Sequence, residues 1–502
     1  MSDAQQMSAL EAHKAIVSGE QTSEALVASC IAQAQRLDPV VNALVIPDFA
    51  RAMDTARRLD KALAQGGTPG PLHGLPVAIK DIQDVAGLAT TWGSPELKDV
   101  QASEDSPIVA RIKRAGAVVM GKTNVPEKSI GANTVNPLFG ATGNPFAPDL
   151  TCGGSSGGSA VAVATGMACL ATGSDHGGSL RIPACYSGVV GVRATPGLVP
   201  NEQRSFPHTN YAVQGPMARN VRDAALLLSV IAERDSNSWR DPMVYPFDAS
   251  SLAQPSVPAV QTLRIGYSED LGGVLVSADV RRQFLDRIRR IKPLVLSCKP
   301  CDIDLRAAPG VDWHLRQELF AATYAGESKS WSKDVNPNVR ATYESAIATP
   351  MQEIAGAKKT QLALTRHTAQ CMADFDVLIV PGVSIPPFPW RQLNPESIDG
   401  KPVKNYMAWL ELTASLTVVG HPVVTLPCGV DLNGLPFGIQ LVGRMYEERD
   451  LLGAAIALEQ AFAQDDELCA PGVDPDWLAG QDANCVIDGK QVQARFAGKS
   501  FS

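Results

Sequence analysis

The stretch from residue 151 to 181 places two glycine- and serine-rich clusters on either side of a short apolar segment. The clusters read T-C-G-G-S-S-G-G-S and G-S-D-H-G-G-S-L-R, and the stretch holds eight of the chain's 42 glycines. Glycine loses more conformational entropy on folding than other residues, so folded proteins use it where backbone bends sharply or approaches another group closely. Serines between such glycines are hydroxyls on turns with backbone N–H groups beside them. This combination is typical of a nucleophile next to an oxyanion hole.

Composition excludes several classes of protein. The chain has 502 residues, of which 45% are hydrophobic and 19% charged, as is ordinary for a folded protein. Its formal net charge is −8 and it has no block of five or six like charges. Because a nucleic-acid groove needs a basic face, we expect no nucleic-acid partner.

Targeting signals and cysteine usage predict a cytoplasmic protein. The N-terminus lacks the basic and apolar regions of a signal peptide. The longest apolar stretch, residues 160–172, is too short to span a bilayer, so no membrane association is expected. The ten cysteines form no regular framework, which favours free thiols in a reducing compartment.

The pattern along the chain predicts an α/β protein. Residues 1–65 are predicted to be a helical N-terminal segment, after which short apolar strands alternate with helices. This alternation indicates a mixed or parallel sheet wrapped in helices. The predicted strands cover residues 76–80, 118–120, 167–173, 188–192, 377–380 and 423–426.

Three stretches outside this pattern define the expected organisation. Residues 236–260 are rich in Pro and Ser and predict a surface loop, and residues from about 277 to 375 predict a variable helical insert. Residues 465–502 form a polar C-terminal extension without periodicity, interpreted as a tail or a peripheral hairpin. We expect a single domain over residues 1–464, because both glycine/serine clusters and the strand ending at Lys80 share one predicted sheet.

Three patterns match known motifs but lack their context. Residues 116–123 match a phosphate-binding loop, yet a helix precedes the first glycine and β-prone residues separate the two glycines. Cys298 and Cys301 form a C-x-x-C pair with no second ligand pair, so we interpret them as loop cysteines rather than a metal site. Ser155 lies in a G-x-S-x-G pattern, but it has no good preceding strand and no histidine in a recognisable setting downstream.

Lys80, at the end of an apolar strand, has two interpretations. A lysine there is ordinarily a solvated surface charge. If it is instead buried beside serine hydroxyls, desolvation lowers its pKa and makes it a usable base. Ser179 follows two glycines after a predicted strand, where backbone N–H groups can converge beside its hydroxyl. The residues alone therefore favour a Ser/Lys hydrolase.

These segments resemble the amidase signature family. The family core, G-G-S-S-G-G-S followed by G-x-D-x-G-G-S-[IL]-R-x-P, matches residues 153–159 and 173–183. Residues 73–81 (H-G-L-P-V-A-I-K-D), 121–127 (G-K-T-N-V-P-E) and 435–443 (L-P-F-G-I-Q-L-V-G) are similar to further family motifs. The resemblance runs from about residue 8 to 463. It implies the amidase-signature fold, an α/β architecture with a central mixed, mostly parallel twisted sheet covered by helices on both faces.

The resemblance also implies catalytic roles. Ser179 corresponds to the nucleophile, Ser155 at a cis peptide bond to a proton relay, and Lys80 to a neutral base. The implied oxyanion hole takes backbone N–H groups from among His176, Gly177, Gly178 and Ser179, with the first three as the predicted donors. No metal or organic cofactor is implied.

Four further residues are compared with the family pattern, of which two match it and two depart from it. Asp175 and Arg181 match it, and we expect structural hydrogen bonds from both. His176 replaces a smaller residue, and its side chain would either contact substrate or support the loop. Trp92 replaces a smaller aromatic residue, and it would either wall the acyl pocket as a substrate-binding residue or pack in the core.

The activity implied is hydrolysis of a small aliphatic or aryl amide through a serine acyl-enzyme. The alternatives on the same site are the glutaminase-type A subunit of a tRNA-dependent amidotransferase, or a carbamate or ester hydrolase. The expected partner is a small-molecule amide, and the expected assembly is a monomer or homodimer.

Overall fold

The chain folds around one large sheet covered by helices. A computed structural model describes residues 7–326, 328–331, 335–482 and 485. The α-helices of this part are α1 (Ala9–Ser18), α2 (Ser23–Val41), α3 (Phe49–Ala64), α4 (Pro107–Arg114), α5 (Gly157–Ala164), α6 (Arg181–Ser187), α7 (Val221–Ile231), α8 (Ala278–Ile291), α9 (Ala308–Tyr324), α10 (Pro337–Ala348), α11 (Met351–Cys371), α12 (Glu411–Val419), α13 (Glu448–Phe462) and α14 (Pro475–Ala479). The strands are β1 (Leu44–Pro47), β2 (Pro76–Lys80), β3 (Val118–Thr123), β4 (Val135–Asn136), β5 (Gly140–Ala141), β6 (Gly143–Asn144), β7 (Ala147–Thr151), β8 (Leu170–Asp175), β9 (Val190–Arg193), β10 (Val213–Ala218), β11 (Arg264–Tyr267), β12 (Ser297–Pro300), β13 (Val377–Pro381), β14 (Ser397–Ile398), β15 (Lys401–Pro402), β16 (Val423–Val430) and β17 (Pro436–Val442).

The main sheet has eleven strands in the order β1-β3-β2-β8-β10-β9-β16-β17-β13-β11-β12. Parallel pairs lie on its two flanks, joining β3 to β2, β2 to β8, β13 to β11 and β11 to β12. The remaining neighbours, including all those in the centre from β8 to β13, pair antiparallel. The three smaller sheets in the described residues pair β4 with β5, β6 with β7, and β14 with β15.

The predicted α/β class and the mixed sheet flanked by helices are confirmed, but the sheet contains more antiparallel pairs than the sequence indicates. A tight turn between β16 and β17 accounts for one of them, because such a turn can join only antiparallel strands. In this turn the Asp431 carboxylate accepts the backbone N–H groups of Asn433 and Leu435 at 2.8 and 2.9 Å. The alternation of apolar runs does not specify strand direction, so the antiparallel pairs could not be predicted from it.

Residues 1–65 were predicted to be helical throughout. The structure differs, because this segment also contains edge strand β1. Helix α2 ends at Val41, and the next residue, Asn42, adopts a left-handed conformation with φ 53°. The Asp38 carboxylate accepts the N–H of Leu44 at 3.1 Å, so the chain leaves the helix extended. It then pairs antiparallel with β3.

Two other predicted segments also differ in detail. The segment 277–375 is mainly helical, but it also contributes β12, which lies parallel to β11 at the edge of the sheet. The extension from 465 begins as packed structure rather than as a tail, since α14 buries Leu478 and Asp476 forms an ion pair with Arg36 of α2. Residues 483–484 and 486–502 of this extension lie outside the described residues. The single-domain assignment stays a prediction.

Close packing of α5 brings the first glycine/serine cluster to the ends of the parallel strands. Gly158 is needed for this approach, because a Cβ there would lie 2.4 Å from the backbone nitrogen of Asn124, just beyond β3. The residues of α5 from Gly157 to Val163 are all buried. Within the described ranges, no helix combines the length and apolar character that crossing a membrane requires.

Candidate active site

Lys80 lies at the centre of a buried group of serine hydroxyls. It ends β2 with its side chain fully buried, which excludes the interpretation as a surface charge. Its Nζ is 2.7 Å from Ser155 Oγ, 2.9 Å from Ser156 Oγ and 2.9 Å from Ser174 Oγ. The two glycine/serine clusters therefore converge on one amine.

The surroundings of Lys80 favour a neutral amine. Burial lowers the pKa of Lys80 to about 7, and the negative charge of Asp175 opposes this effect only in part. A neutral amine donates two hydrogen bonds and accepts one at its lone pair. The Ser156 hydroxyl donates to the Ser174 carbonyl at 3.3 Å, so its oxygen is available as an acceptor for the amine. The lone pair of Lys80 is then available to a proton from Ser155.

Ser155 lies between Lys80 and a cavity. Its peptide bond with Gly154 is cis, as the family resemblance implies. Its Oγ also receives a hydrogen bond from the Ser129 hydroxyl at 2.8 Å. Ser129 was missed by the sequence analysis, since only its place two residues after the 121–127 motif could have pointed to it. Its backbone is left-handed, with a φ of 58°. The sequence does not indicate this conformation, because the position is a serine and not a glycine.

Ser179 follows β8 in the turn before α6 and is half-buried. Ser179 and Ser155 line the same cavity, of about 280 Å³. The N–H of Ser156 donates to the Ser179 carbonyl at 3.2 Å and thereby ties the two clusters together. Within the described residues, the Ser179 hydroxyl makes no hydrogen bond, including to Ser155. Hydrogen bonds between catalytic groups often form or shorten only in the substrate complex, so the absence of a Ser179–Ser155 hydrogen bond is compatible with proton transfer between them.

The loop before Ser179 lines the cavity, and the contacts of one of its N–H groups differ from the predicted oxyanion hole. The N–H of Gly178 donates to Asp175 Oδ1 at 2.9 Å, and that of Leu180 donates to Oδ2 at 3.1 Å. Because the Asp175 carboxylate engages it, Gly178 does not fit the predicted role of oxyanion donor. The N–H groups without an acceptor among the described residues are those of His176, Gly177 and Ser179.

Gly177 is fixed by contacts on both sides. Its carbonyl accepts a hydrogen bond from the Thr413 hydroxyl at 2.6 Å. A Cβ at this position would lie 2.8 Å from Nη2 of Arg316, so any larger residue would displace that guanidinium or the loop. The absence of a side chain at Gly177 therefore lets the Arg316 guanidinium lie against the loop.

A buried charge cluster supports the loop from behind. Asp175 pairs with Arg181 at 2.9 Å and with Arg193 at 3.3 Å, and all three side chains are fully buried. Burial alone would raise the pKa of Asp175, but the two guanidinium groups hold it well below its usual range. Two cations and one anion leave a formal charge of +1 in this cluster, which favours negative charge developing at the loop. The structural roles expected for Asp175 and Arg181 agree with these contacts.

We expect Asp175→Asn to lower the free energy of unfolding by about 3–5 kcal/mol, because it leaves two buried guanidinium groups without a counter-charge. Urea unfolding followed by circular dichroism measures this change. The control is Asp476→Asn, which removes an exposed carboxylate and is expected to change stability by less than about 0.5 kcal/mol. Equal stability of Asp175→Asn and wild type would contradict this account of the cluster.

His176 and Trp92 both line the cavity. The His176 ring packs against the Tyr211 ring with centroids 4.5 Å apart. Burial, together with the nearby Arg316 and Arg193, lowers the pKa of His176, so its ring is neutral. Trp92 is 36% exposed, which places it in the cavity wall rather than in the core.

The patterns rejected in the sequence have structural explanations. Lys122, the lysine of the apparent phosphate loop, lies in strand β3 and pairs with Asp81 at 3.0 Å, with both side chains buried. Cys298 lies in β12, and no group of three or more His, Cys, Asp or Glu that could hold a metal ion occurs in the described part of the chain.

Comparisons with known proteins identify the family of the chain. The family model described as Amidase matches residues 25–452. An acylamidase from Rhodococcus erythropolis is 30% identical over 465 residues, covering 90% of this chain and 95% of the relative. The A subunit of the glutamyl-tRNA(Gln) amidotransferase of Thermosynechococcus vestitus is 30% identical over 482 residues, covering 90% of this chain and 97% of the relative.

The fold comparison points to the same family. The crystal structure of a bacterial aryl acylamidase of the amidase signature family matches with a TM-score of 0.81 and 27% identity, covering 95% of this chain and 99% of that one. The chain therefore belongs to the amidase signature family. It is a hydrolase that acts on amide carbon–nitrogen bonds.

Proposed function

We propose that this enzyme hydrolyses small aliphatic or aryl amides with Ser179 as nucleophile, Ser155 as proton relay and Lys80 as base. The observation that carries this proposal is the buried Lys80 amine, 2.7 Å from the Ser155 hydroxyl, which itself borders the cavity containing Ser179. An amine with a pKa of about 7 accepts a proton readily at neutral pH.

In the proposed cycle, Ser179 Oγ attacks the amide carbonyl carbon. Its proton passes to Ser155, whose own proton passes to the Lys80 amine. The oxyanion accepts hydrogen bonds from the N–H groups of His176, Gly177 and Ser179. When the carbon–nitrogen bond breaks, the departing nitrogen takes a proton back from Lys80 through Ser155. Water then attacks the acyl-enzyme by the same relay, which releases the acid and regenerates the serine.

The cavity wall supports a substrate with an apolar part. Its apolar and aromatic lining residues include Ile182, Phe206, Leu319, Phe320, Met407 and Leu410. The aromatic rings in this wall favour flat or extended hydrocarbon groups. Trp92 is proposed as a further substrate contact.

A panel of p-nitroanilides and simple amides with increasing acyl length tests the proposal. We expect turnover of several anilides, with kcat/KM rising by about 3–10-fold for each added methylene until the cavity is full, since an extra methylene in an apolar pocket contributes roughly 1 kcal/mol. Release of p-nitroaniline is followed by its absorbance. Absence of turnover across the panel, with the protein folded, would contradict small-amide hydrolysis.

A second candidate function is that of the A subunit in a glutamyl-tRNA amidotransferase. It is favoured by the Thermosynechococcus vestitus relative, which carries that name. Hydrolysis of glutamine to glutamate and ammonia, faster than hydrolysis of any anilide, together with co-purification of partner chains, would establish it. Carbamates and esters belong in the same panel, because the proposed acyl-enzyme can form from either.

We also propose a cytoplasmic setting and a monomer or homodimer. None of the ten cysteines, all of which lie in the described residues, forms a disulfide, as suits a reducing compartment. Size-exclusion chromatography with light scattering measures the assembly.

A further inference from the structure

Arg316 of α9 reaches the catalytic cavity with its hydrogen-bonding capacity unused. The residue is 6% exposed and lines the cavity. Its Nε lies 3.5 Å from Asp312 Oδ2, an ion pair that makes no hydrogen bond. Neither Nη1 nor Nη2 donates to any acceptor among the described residues, and Nη2 lies beside Gly177 in the loop before Ser179.

The other two cations of the cavity wall already have close anionic partners. Arg204 forms two hydrogen bonds with Asp241, at 2.9 and 3.2 Å. Lys128 pairs with Glu96 at 2.6 Å. Arg316 differs from both, because its buried guanidinium has an anion nearby but no hydrogen bond to it.

Asp312 pairs with Arg316 but leaves the hydrogen-bond donors of its guanidinium group available. Asp312 Oδ1 accepts the Tyr211 hydroxyl at 2.9 Å, while Oδ2 faces the Nε of Arg316. The two Nη groups therefore remain for a partner in the cavity. The described residues that line the cavity include no Asp or Glu, so none of them supplies a carboxylate there.

We propose that Arg316 binds a carboxylate of the substrate, so that the preferred substrates carry both a scissile amide and a carboxylate. A guanidinium presents parallel N–H groups that match the two oxygens of a carboxylate, and a buried cation gains most from an anionic partner. This inference rests on the proposed amide hydrolysis, since it assigns a specificity residue to that cavity.

Matched substrate pairs test the proposal. Succinyl-p-nitroanilide against butyryl-p-nitroanilide places the carboxylate on the acyl side, and N-acetyl-4-aminobenzoate against acetanilide places it on the amine side. In at least one pair, the wild type is expected to prefer the carboxylate by about 10–100-fold in kcat/KM, and Arg316→Met to abolish that preference, mainly through KM. The neutral substrates should change by less than about threefold. Equal losses for charged and neutral substrates, or no wild-type preference in either pair, overturn the proposal.

Two further variants separate specificity from folding and from charge. Arg316→Lys keeps the positive charge beside Asp312 but lacks the planar fork, so it should fold even where Arg316→Met does not and still lose most of the preference. Lys358→Met is the matched control, because it removes one positive charge from an exposed site on α11 that pairs with Glu318 outside the cavity. We expect it to keep the wild-type preference.

A binding measurement distinguishes failure of this inference from failure of the proposed function. In the Ser179→Ala background, calorimetry with the same four compounds needs no turnover. Tighter binding of a carboxylate compound, lost on adding Arg316→Met, supports the subsite even if none of these amides is hydrolysed. Equal binding of charged and neutral compounds refutes the subsite while leaving amide hydrolysis unaffected.

Discussion

Replacing Ser179 by alanine is expected to lower kcat by about 10⁵-fold or more for every amide that the wild type hydrolyses, because no acyl-enzyme can form without the hydroxyl. The fold should survive, since the hydroxyl makes no hydrogen bond among the described residues. Single-turnover assays with the best anilide measure the loss. Mass spectrometry of wild type quenched during turnover should detect the acylated Ser179 peptide.

A serine of the first glycine/serine cluster provides the control for this loss. Ser159 is buried in α5, where its hydroxyl bonds to Thr123 at 2.7 Å and to the Thr172 carbonyl at 2.8 Å. Ser159→Ala should cost about 1 kcal/mol of stability and leave kcat within about threefold. If Ser179→Ala kept most of the wild-type rate, the nucleophile would have to be another group.

The sequence predicts the residues of the site better than their contacts. Lys80, Ser155 and Ser179 could be named because the family motifs contain them, and strand β2 matches its predicted bounds. The engagement of Gly178 by Asp175 could not be predicted in this way, since it depends on how one carboxylate folds back over its own turn. Ser129 was missed for a related reason: its left-handed backbone is imposed by the surrounding loop, not by its residue type.

Arg316 shows where sequence reasoning ends. It lies in a helix far along the chain from the glycine/serine clusters, and although Asp312 precedes it by one turn on the same helix, Tyr211, which bonds to Asp312, comes from a distant segment. An arginine in a helical stretch is typically solvated, and only tertiary packing buries this one beside Gly177. Edge strands β1 and β12 were missed similarly, because a four-residue run has no decisive period.

Lys80→Met is expected to lower kcat/KM by about 10⁴-fold, since it removes the base that receives the Ser179 proton while keeping a side chain of similar volume. Pre-steady-state acylation with the best anilide measures this loss. Lys358→Met, which removes an exposed ammonium group, is expected to keep the wild-type rate. A Lys80→Met enzyme that retained most of its activity would require another base.

The pH dependence of wild type gives an independent test of the same assignment. Because burial lowers the pKa of Lys80 from 10.5 to about 7, the active neutral amine predominates above pH 7 and is lost below it. The acylation rate should therefore rise with pH, reach half its maximum near pH 7 and level off above about pH 8.

The folded protein also binds fewer protons at Lys80 than the unfolded chain does between pH 7 and 10.5, so this residue makes the free energy of unfolding increase with pH over the interval. Lys80→Met should remove that slope, whereas an acylation rate that stays constant across neutral pH would show that Lys80 is not the titrating base.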